Sequence, residues 1–566
     1  MMTLWTSRAT RLATAGAAAI AAALALVRQL DFAVSSTGAI GRDWACHLPR
    51  ATRVLATGFH PSRVLSLYDA WIVRDAVMIW PPLGHVVAAA FMAPRALNPV
   101  SAYYASQAIW IAVLVGSLYG AGRRLGRGAP TAGLVAALLG GLIPTVLDLA
   151  RQVNLEFATT ATVALAFYGF ARSENLTSTA GSLVLGLCCG VAFLTKPVTF
   201  AYVVPFLAFA FLLGADGRAA WARRGGRLLL AAATATLVCG ALYLPRVRAV
   251  LHDGGVVSRD LTSVWRLNLA VFPRFVAVGL LSPVAWVLVI ASAVAGLRRR
   301  DGVTVSLLAG GCVAFAYLAT LIYSETNTAY YFPFAVLAAL VVARGLPALG
   351  RYGRPAATVA LAAMVVPSLL APEWVARRVA ATPRSAFVRA MFPTDGAGAA
   401  PFARPRETVD ETPNLRLAHL LFANRYAAFG SEDVGIVEES WSGYESIQAG
   451  IGVARTEGPG RWNVPASIVG AIYCVGDDAS RLGDLERVIS RPLVIAVRSP
   501  GSATAPPRGP DPLGRALDRV GLTHRTDLAF DALTDGRGTA VAGRPAIAVF
   551  VRDRPDRYGY TEATPP

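Results

Sequence analysis

The sequence predicts a polytopic α-helical membrane domain followed by a soluble α/β domain. Three observations carry that expectation. Of the 566 residues, 55% are hydrophobic and only 16% charged, where soluble globular chains carry roughly 25% charged residues. Apolar runs close to the ~20 residues needed to span a bilayer recur through the first two thirds of the chain. From about residue 373 charged residues, Gly and Pro return, and no later run is long enough to span. The expected domains are therefore 1–372, with a first external loop at 31–100, and an extracytoplasmic 373–566.

Arg8 and Arg11 precede an apolar run over 12–27, read as a retained first span rather than a cleaved signal peptide. Residues 31–80 mix Trp44, Tyr68, Trp71 and Trp80 with Arg, Asp and His, a composition suited to short helices in the headgroup zone. Trp80-Pro81-Pro82-Leu83-Gly84-His85 then leads into an apolar piece over 86–93 that is too short to span. Parity decides its role. If it crossed, every later basic cluster would fall outside; if it does not, all fall inside. It therefore reads as a re-entrant or juxtamembrane helix, tolerable where protein or a wet cavity covers its ends.

The remaining spans are expected at 101–121, 130–149, 155–171, 179–195, 198–214, 228–245, 275–297, 303–323, 329–344 and 355–371. With the first, this makes about eleven, each long enough to cross with some tilt. The N-terminus then lies inside. The turns at 148–156, 196–197, 246–274 and 324–327 lie outside, as does everything beyond Pro372. In the C-terminal part, 434–437, 468–475, 493–497 and 546–551 read as strands, and 413–427, 485–489 and 513–520 as helices. No GxGxxG, P-loop, GxSxG or HExxH motif stands in a fitting context, and there is no obvious internal repeat.

The net charge of +18 does not point to nucleic acid. Much of the Arg sits in short clusters between apolar runs: Arg123-Arg124 with Arg127, Arg223-Arg224 with Arg227, Arg298-Arg299-Arg300, and Arg344 with Arg351 and Arg354. Such clusters mark cytoplasmic loops. The six cysteines include no CxxC pair and no zinc-type Cys/His array. Cys188, Cys189, Cys239 and Cys312 read as small residues within apolar runs.

Four features converge on the outer side. Asp43, in Gly41-Arg42-Asp43-Trp44, is a carboxylate held near the bilayer surface, placed to take a proton from a hydroxyl. Glu156 opens a span after Arg151-Gln152-Val153-Asn154, with Asp148 as its alternative one helix end earlier; an acid at such a boundary is a functional candidate. Lys196 is the only lysine in the chain, at Leu194-Thr195-Lys196-Pro197. A compact ammonium where every other basic side chain is Arg suggests a tight anion site. The external stretch with Arg246, Arg248, His252, Arg259, Arg266 and Arg274 departs from the positive-inside pattern and suits an anionic head group. Plainer readings stand beside these. Asp43 can be a solvated loop residue, Glu156 can pair with Arg151, and Lys196 can snorkel from a helix end. His47, His85 and His252 are scattered, which argues against a metal triad.

The ordered set of the Asp43 loop, the Trp80–His85 segment, the acid at Glu156, the 190–196 stretch and the Tyr330-Tyr331-Phe332-Pro333 span resembles the GT-C superfamily of integral-membrane glycosyltransferases. The likeness is to the bacterial group of protein O-mannosyltransferases, lipid A aminoarabinose transferases and Rgt-type enzymes, over about residues 12–372. Asp43 is followed by Trp44 where many relatives show Asp-Glu, and Ala329 precedes Tyr330 where relatives often show Arg-Tyr. The resemblance implies inverting transfer of a sugar from a polyprenyl-phosphate donor to an envelope glycan, lipid or protein acceptor at the outer face of a bacterial inner membrane. It implies Asp43 as general base, and Lys196 with Arg246 on the donor phosphate. Glu156, His85 and Tyr330 would orient the acceptor or sugar. It fixes no cofactor and leaves metal dependence open, with a divalent cation (Mg²⁺ or Mn²⁺) compatible with it. The rival readings are a transporter or flippase, which would show inverted repeats with broken helices near the midplane, and a non-catalytic scaffold of envelope-polysaccharide assembly.

Overall fold

The computed structural model describes residues 2–35, 57–75, 81–94, 99–152, 154–214, 217–247, 283–321 and 330–350, isolated positions between them, and the backbone of five strands between 434 and 552. Contacts divide the chain into two units, residues 1–34, 60–88 and 104–405, and residues 35–59, 89–103 and 406–566.

In chain order the helices are α1 (Met2–Ser35), α2 (Pro61–Asp75), α3 (Leu83–Met92), α4 (Pro99–Leu125), α5 (Pro130–Gly141), α6 (Pro144–Leu149) and α7 (Glu156–Arg172). They continue as α8 (Thr179–Phe193), α9 (Thr199–Leu213), α10 (Arg218–Tyr243), α11 (Pro283–Arg298), α12 (Gly302–Leu321) and α13 (Pro333–Gly345). Four described segments are long and apolar enough to cross a bilayer: Arg8–Val34, Ser101–Leu125, Arg218–Arg246 and Gly302–Ala319. The other apolar helices are shorter. The 10 residues of α3 rise only about 15 Å, too little to cross.

Two expected elements differ. The single span at 130–149 is broken into α5 and α6 at Leu142-Ile143; Pro144 has no N–H for the carbonyl four residues back, so the first helix stops before it. The Arg223-Arg224 cluster is not a loop. It lies within α10, which starts at Arg218, ten residues ahead of the apolar run. The Arg224 guanidinium donates to the Ala210 carbonyl (2.7 Å) and to Asn175 Oδ1 (2.9 Å), and these bonds draw the charged turn into the protein.

Between helices in a bilayer, water supplies no hydrophobic drive, so close backbone approach through small residues sets the packing. A Cβ at Gly186 would stand 2.4 Å from the Ala231 carbonyl oxygen, and one at Gly190 2.6 Å from Val238 Cβ, so α8 lies directly on α10. Gly169 brings α7 close to Leu185 of α8, and Gly140 brings α5 to Ala339 of α13, where an added Cβ would stand 2.8 Å away in each case. Leu183, Leu187, Leu229 and Leu237 remain exposed on α8 and α10, as a lipid-facing surface requires. Cys188, Cys189 and Cys239 are buried and Cys312 is exposed, all four as free thiols.

Contacts sort the helix ends of the first unit into two groups. At one end, Gln29 Nε2 of α1 donates to the carbonyls of Tyr104 and Ala150, both at 3.0 Å, and Arg151 stacks 4.7 Å over Phe32. At the other, Arg344 of α13 donates to Asp301, just ahead of α12, at 2.5 and 2.9 Å and to the Leu125 carbonyl of α4 at 2.6 Å. The Arg123-Arg124 and Arg344 clusters therefore share one end.

In the second unit, β1 (Val434–Glu438), β2 (Ala471–Cys474), β3 (Leu493–Val497), β4 (Leu522–Ala529) and β5 (Ala546–Arg552) form one mixed sheet in the order β2-β1-β3-β5-β4. β1 pairs in parallel with β2 and β3, with Ile436 opposite Ile472 and Ile495. β5 runs antiparallel to both β3 and β4, and the β4 ladder is irregular between His524 and Thr526. Four of these strands fall where the sequence places them; β4 was not expected. The expected helices at 413–427, 485–489 and 513–520 and the span at 355–371 lie outside the described residues, apart from isolated positions in the last.

Candidate active site

Lys196 sits in a break between two apolar helices. Pro197 cannot continue α8, which ends at Phe193, and α9 starts at Thr199. Two hydroxyls tie off the break: Thr195 donates to the Val191 carbonyl at 3.0 Å and Thr199 to the Lys196 carbonyl at 2.8 Å. The Lys196 ammonium is directed at Glu156, the first residue of α7, and donates to its Oε1 in a direct ion pair. Both side chains are almost fully enclosed, 5% and 3% exposed. A carboxylate at a helix N-terminus sits in the favourable end of the helix dipole, and that end also places the acid at the mouth of the break.

The ion pair has an aromatic floor. Lys196 Nζ lies 4.2 Å from the centroid of the Tyr330 ring, a cation–π distance. Tyr330 is itself held by Tyr202 of α9, whose hydroxyl donates to the Tyr330 carbonyl at 2.5 Å. Among the described residues Glu156 Oε2 has no hydrogen-bond partner, although it is buried. A buried carboxylate oxygen normally finds a donor, so this atom is a vacant acceptor beside a cation.

The short helix α3 closes one side. The Leu83 N–H donates to the Leu194 carbonyl at 3.1 Å, which pins its start to the Lys196 turn. Gly84 packs against Leu155, the residue before Glu156; a Cβ there would stand 2.4 Å from Leu155 Cδ2. His85 is fully buried and its Nδ1 is hydrogen-bonded to the Tyr68 hydroxyl of α2 at 2.5 Å. Arg246 donates to the Ala241 and Leu242 carbonyls at 3.2 and 2.7 Å and to the Leu65 carbonyl at 3.4 Å. It thereby ties the end of α10 to α2, while the Tyr243 hydroxyl ties α10 to the Phe193 carbonyl at 2.7 Å.

The structure thus brings together Lys196, Glu156 and Tyr330, with α3 carrying His85 alongside. Glu156 pairs with Lys196, and Arg151 lies over Phe32. Asp43, Arg248, His252, Arg259, Arg266 and Arg274 lie outside the described residues, and so does the side chain of Asp148. Among the described residues no three His, Cys, Asp or Glu side chains come together as a metal site. Sequence reasoning missed Tyr202, although a hydroxyl within an otherwise apolar run, six residues beyond the only lysine, was the available signal.

A family model described as dolichyl-phosphate-mannose-protein mannosyltransferase matches residues 80–243. That stretch holds His85, Glu156 and Lys196. The chain is similar in structure to ArnT from Cupriavidus metallidurans bound to undecaprenyl phosphate, with a TM-score of 0.53 and 15% identity, covering 94% of this chain and 98% of that one. The apo form of the same enzyme gives a TM-score of 0.54 at 15% identity, covering 95% and 98%. No curated protein matches the sequence. The chain has the fold of the GT-C membrane glycosyltransferases. The segment that carries the ion pair is the one matched by the mannosyltransferase family model.

Proposed function

We propose that the protein is an inverting glycosyltransferase that moves a sugar from a polyprenyl-phosphate donor to an envelope glycan, lipid or protein acceptor at the outer face of a bacterial inner membrane. The observation that carries this reading is the buried Lys196–Glu156 pair at one end of a GT-C helix bundle. A soluble protein rarely keeps its only lysine fully enclosed; a lipid-phosphate enzyme has a use for it. The solved ArnT complex with undecaprenyl phosphate supports a ligand of this type.

In this reading the donor's lipid chain stays in the bilayer and its phosphate enters beside Lys196. The acceptor hydroxyl oxygen attacks the anomeric carbon from the face opposite the phosphate. The bond from that carbon to the phosphate oxygen breaks, and polyprenyl phosphate leaves with the electron pair. Asp43 takes the hydroxyl proton. Lys196 stabilises the charge that grows on the phosphate oxygen, where a fixed cation in a dry site acts most strongly. Arg246 supports the phosphate side of the site, and Glu156 through its open oxygen, His85 and Tyr330 orient the sugar or acceptor. The C-terminal domain, residues 373–566, is extracytoplasmic and guides the acceptor. The N-terminus is cytoplasmic.

The test is a transfer assay on purified protein in nanodiscs with radiolabelled polyprenyl-phosphate sugars, the wild type beside Asp43→Asn. Donor-dependent release of polyprenyl phosphate that is lost in the variant is the expected result. Normal turnover in a folded Asp43→Asn protein would remove the base assignment. No turnover by the wild type with any donor, in the presence of membrane-extract acceptors, would return the chain to the transporter and scaffold readings.

A further inference from the structure

We propose that Glu156 is a built-in competitor for the donor phosphate: it neutralises Lys196 in the resting site and, by repelling the phosphate once it carries its full charge, drives product release. The proposal rests on the phosphate-site reading above. Three features of the geometry carry it. The ion pair is enclosed on both sides, so water screens neither charge from the other. An ammonium has three donors, so Lys196 can hold Glu156 Oε1 and one phosphate oxygen together. Glu156 Oε2 is buried with no hydrogen-bond partner among the described residues, so this carboxylate is only half satisfied. A group placed solely to orient a lysine would not leave an acceptor oxygen idle in a dry site, where an unmade hydrogen bond is costly.

The charge change along the reaction gives this arrangement its effect. The donor is a phosphodiester with one negative charge. The product is a phosphomonoester, whose second ionisation falls near pH 6, so it carries between one and two negative charges near neutral pH. A lone buried lysine would therefore hold the product more tightly than the donor and slow turnover. A carboxylate already on the lysine penalises the more highly charged species more heavily, because like charges in a low-dielectric site repel strongly. Glu156 thus lowers affinity for both lipids, and for the product most. It is a positioning and counter-charge residue; it need not touch the reacting carbon.

The experiment measures binding and release of undecaprenyl phosphate by the full-length protein in nanodiscs, with undecaprenol as the uncharged control. Wild type, Glu156→Gln, Glu156→Asp and Lys196→Met are compared, each checked for a monodisperse folded state. Glu156→Gln should bind undecaprenyl phosphate about tenfold more tightly, mainly through slower release, as expected when a desolvated like charge is removed. Undecaprenol binding should not change. Glu156→Asp keeps the charge on a shorter arm and should fall between the two, which leaves a readable variant if the glutamine form does not fold. Lys196→Met should lose at least about tenfold, the loss expected when a buried charged partner is truncated. Unchanged or weaker binding by Glu156→Gln and Glu156→Asp, with the Lys196→Met loss intact, would overturn the counter-charge proposal and leave the phosphate site standing. Unchanged binding by Lys196→Met would overturn the phosphate site itself. A purely structural role for Glu156 predicts weaker binding, the opposite sign.

Discussion

Replacing Lys196 by Met keeps an unbranched side chain one atom shorter and removes its charge. Glu156 would then be a buried carboxylate with neither oxygen paired. Both partners are at most 5% exposed, so the loss is not screened by solvent. Breaking such a pair from one side costs about 3–5 kcal/mol, whereas replacing both partners by neutral groups of similar shape is often close to neutral. The Tyr330 ring 4.2 Å below the ammonium adds about 1–2 kcal/mol that only Lys196→Met forfeits. The double variant Lys196→Met with Glu156→Gln should therefore be more stable than Lys196→Met alone, with a coupling energy of about 2–3 kcal/mol, inside the range found for contacting groups. The assay is reversible unfolding in mixed micelles titrated with SDS, applied to the wild type, the two single variants and the double. Additive effects, with coupling below about 0.5 kcal/mol, would refute the reasoning. They would mean that the two charges are separately solvated in the folded protein.

At the opposite end of the bundle, burial raises the Asp301 carboxyl, but hydrogen bonds from Arg344 and Thr304 and the Arg344 charge outweigh it and bring its pKa down to about 2. Because the folded value lies below the unfolded one near 3.9, the stabilisation is present above about pH 4 and lost as pH falls toward 2. With partial screening it is worth about 1–2 kcal/mol; Asp301→Asn should abolish that pH dependence in an acid-unfolding series. Gly186→Val would drive a Cβ to 2.4 Å from the Ala231 carbonyl and separate α8 from α10. It should destabilise by about 1–3 kcal/mol or more, while Gly16→Ala, with open space around it, should not lower stability in the same unfolding assay. Lys196→Arg keeps the charge but puts a planar fork where a compact ammonium sits between Glu156 and Tyr330. It should keep most of the stability and lower turnover at least about tenfold, read as kcat and KM in the transfer assay.

The helical part of the fold was legible because apolar run length is a strong signal, and the short apolar run at 86–93 falls in the 10-residue α3. Contacts join Glu156 to Lys196 at one end and Arg344 to the Leu125 carbonyl, beside Arg123-Arg124, at another. Where the reading failed, a local rule was overridden. Run length cannot register a proline that breaks a helix without ending the apolar stretch, so α5 and α6 read as one span. Positive charge reads as loop, yet Arg224 stays helical because carbonyl and amide oxygens at Ala210 and Asn175 accept its protons. β4, Leu-Thr-His-Arg-Thr-Asp-Leu-Ala, is a polar edge strand, and edge strands carry the charges that hide them from a search for apolar alternation. For the site, composition singled out Lys196 and position singled out Glu156, but nothing in their 40-residue separation indicates that they touch. That contact follows from the direct packing of α7 on α8, and α3 adds to it through the Leu83 N–H on the Leu194 carbonyl and Gly84 against Leu155. A segment too short to cross the membrane therefore abuts both helix termini that carry the charged pair, and a substitution at Gly84 should disturb Lys196 chemistry without touching either charge.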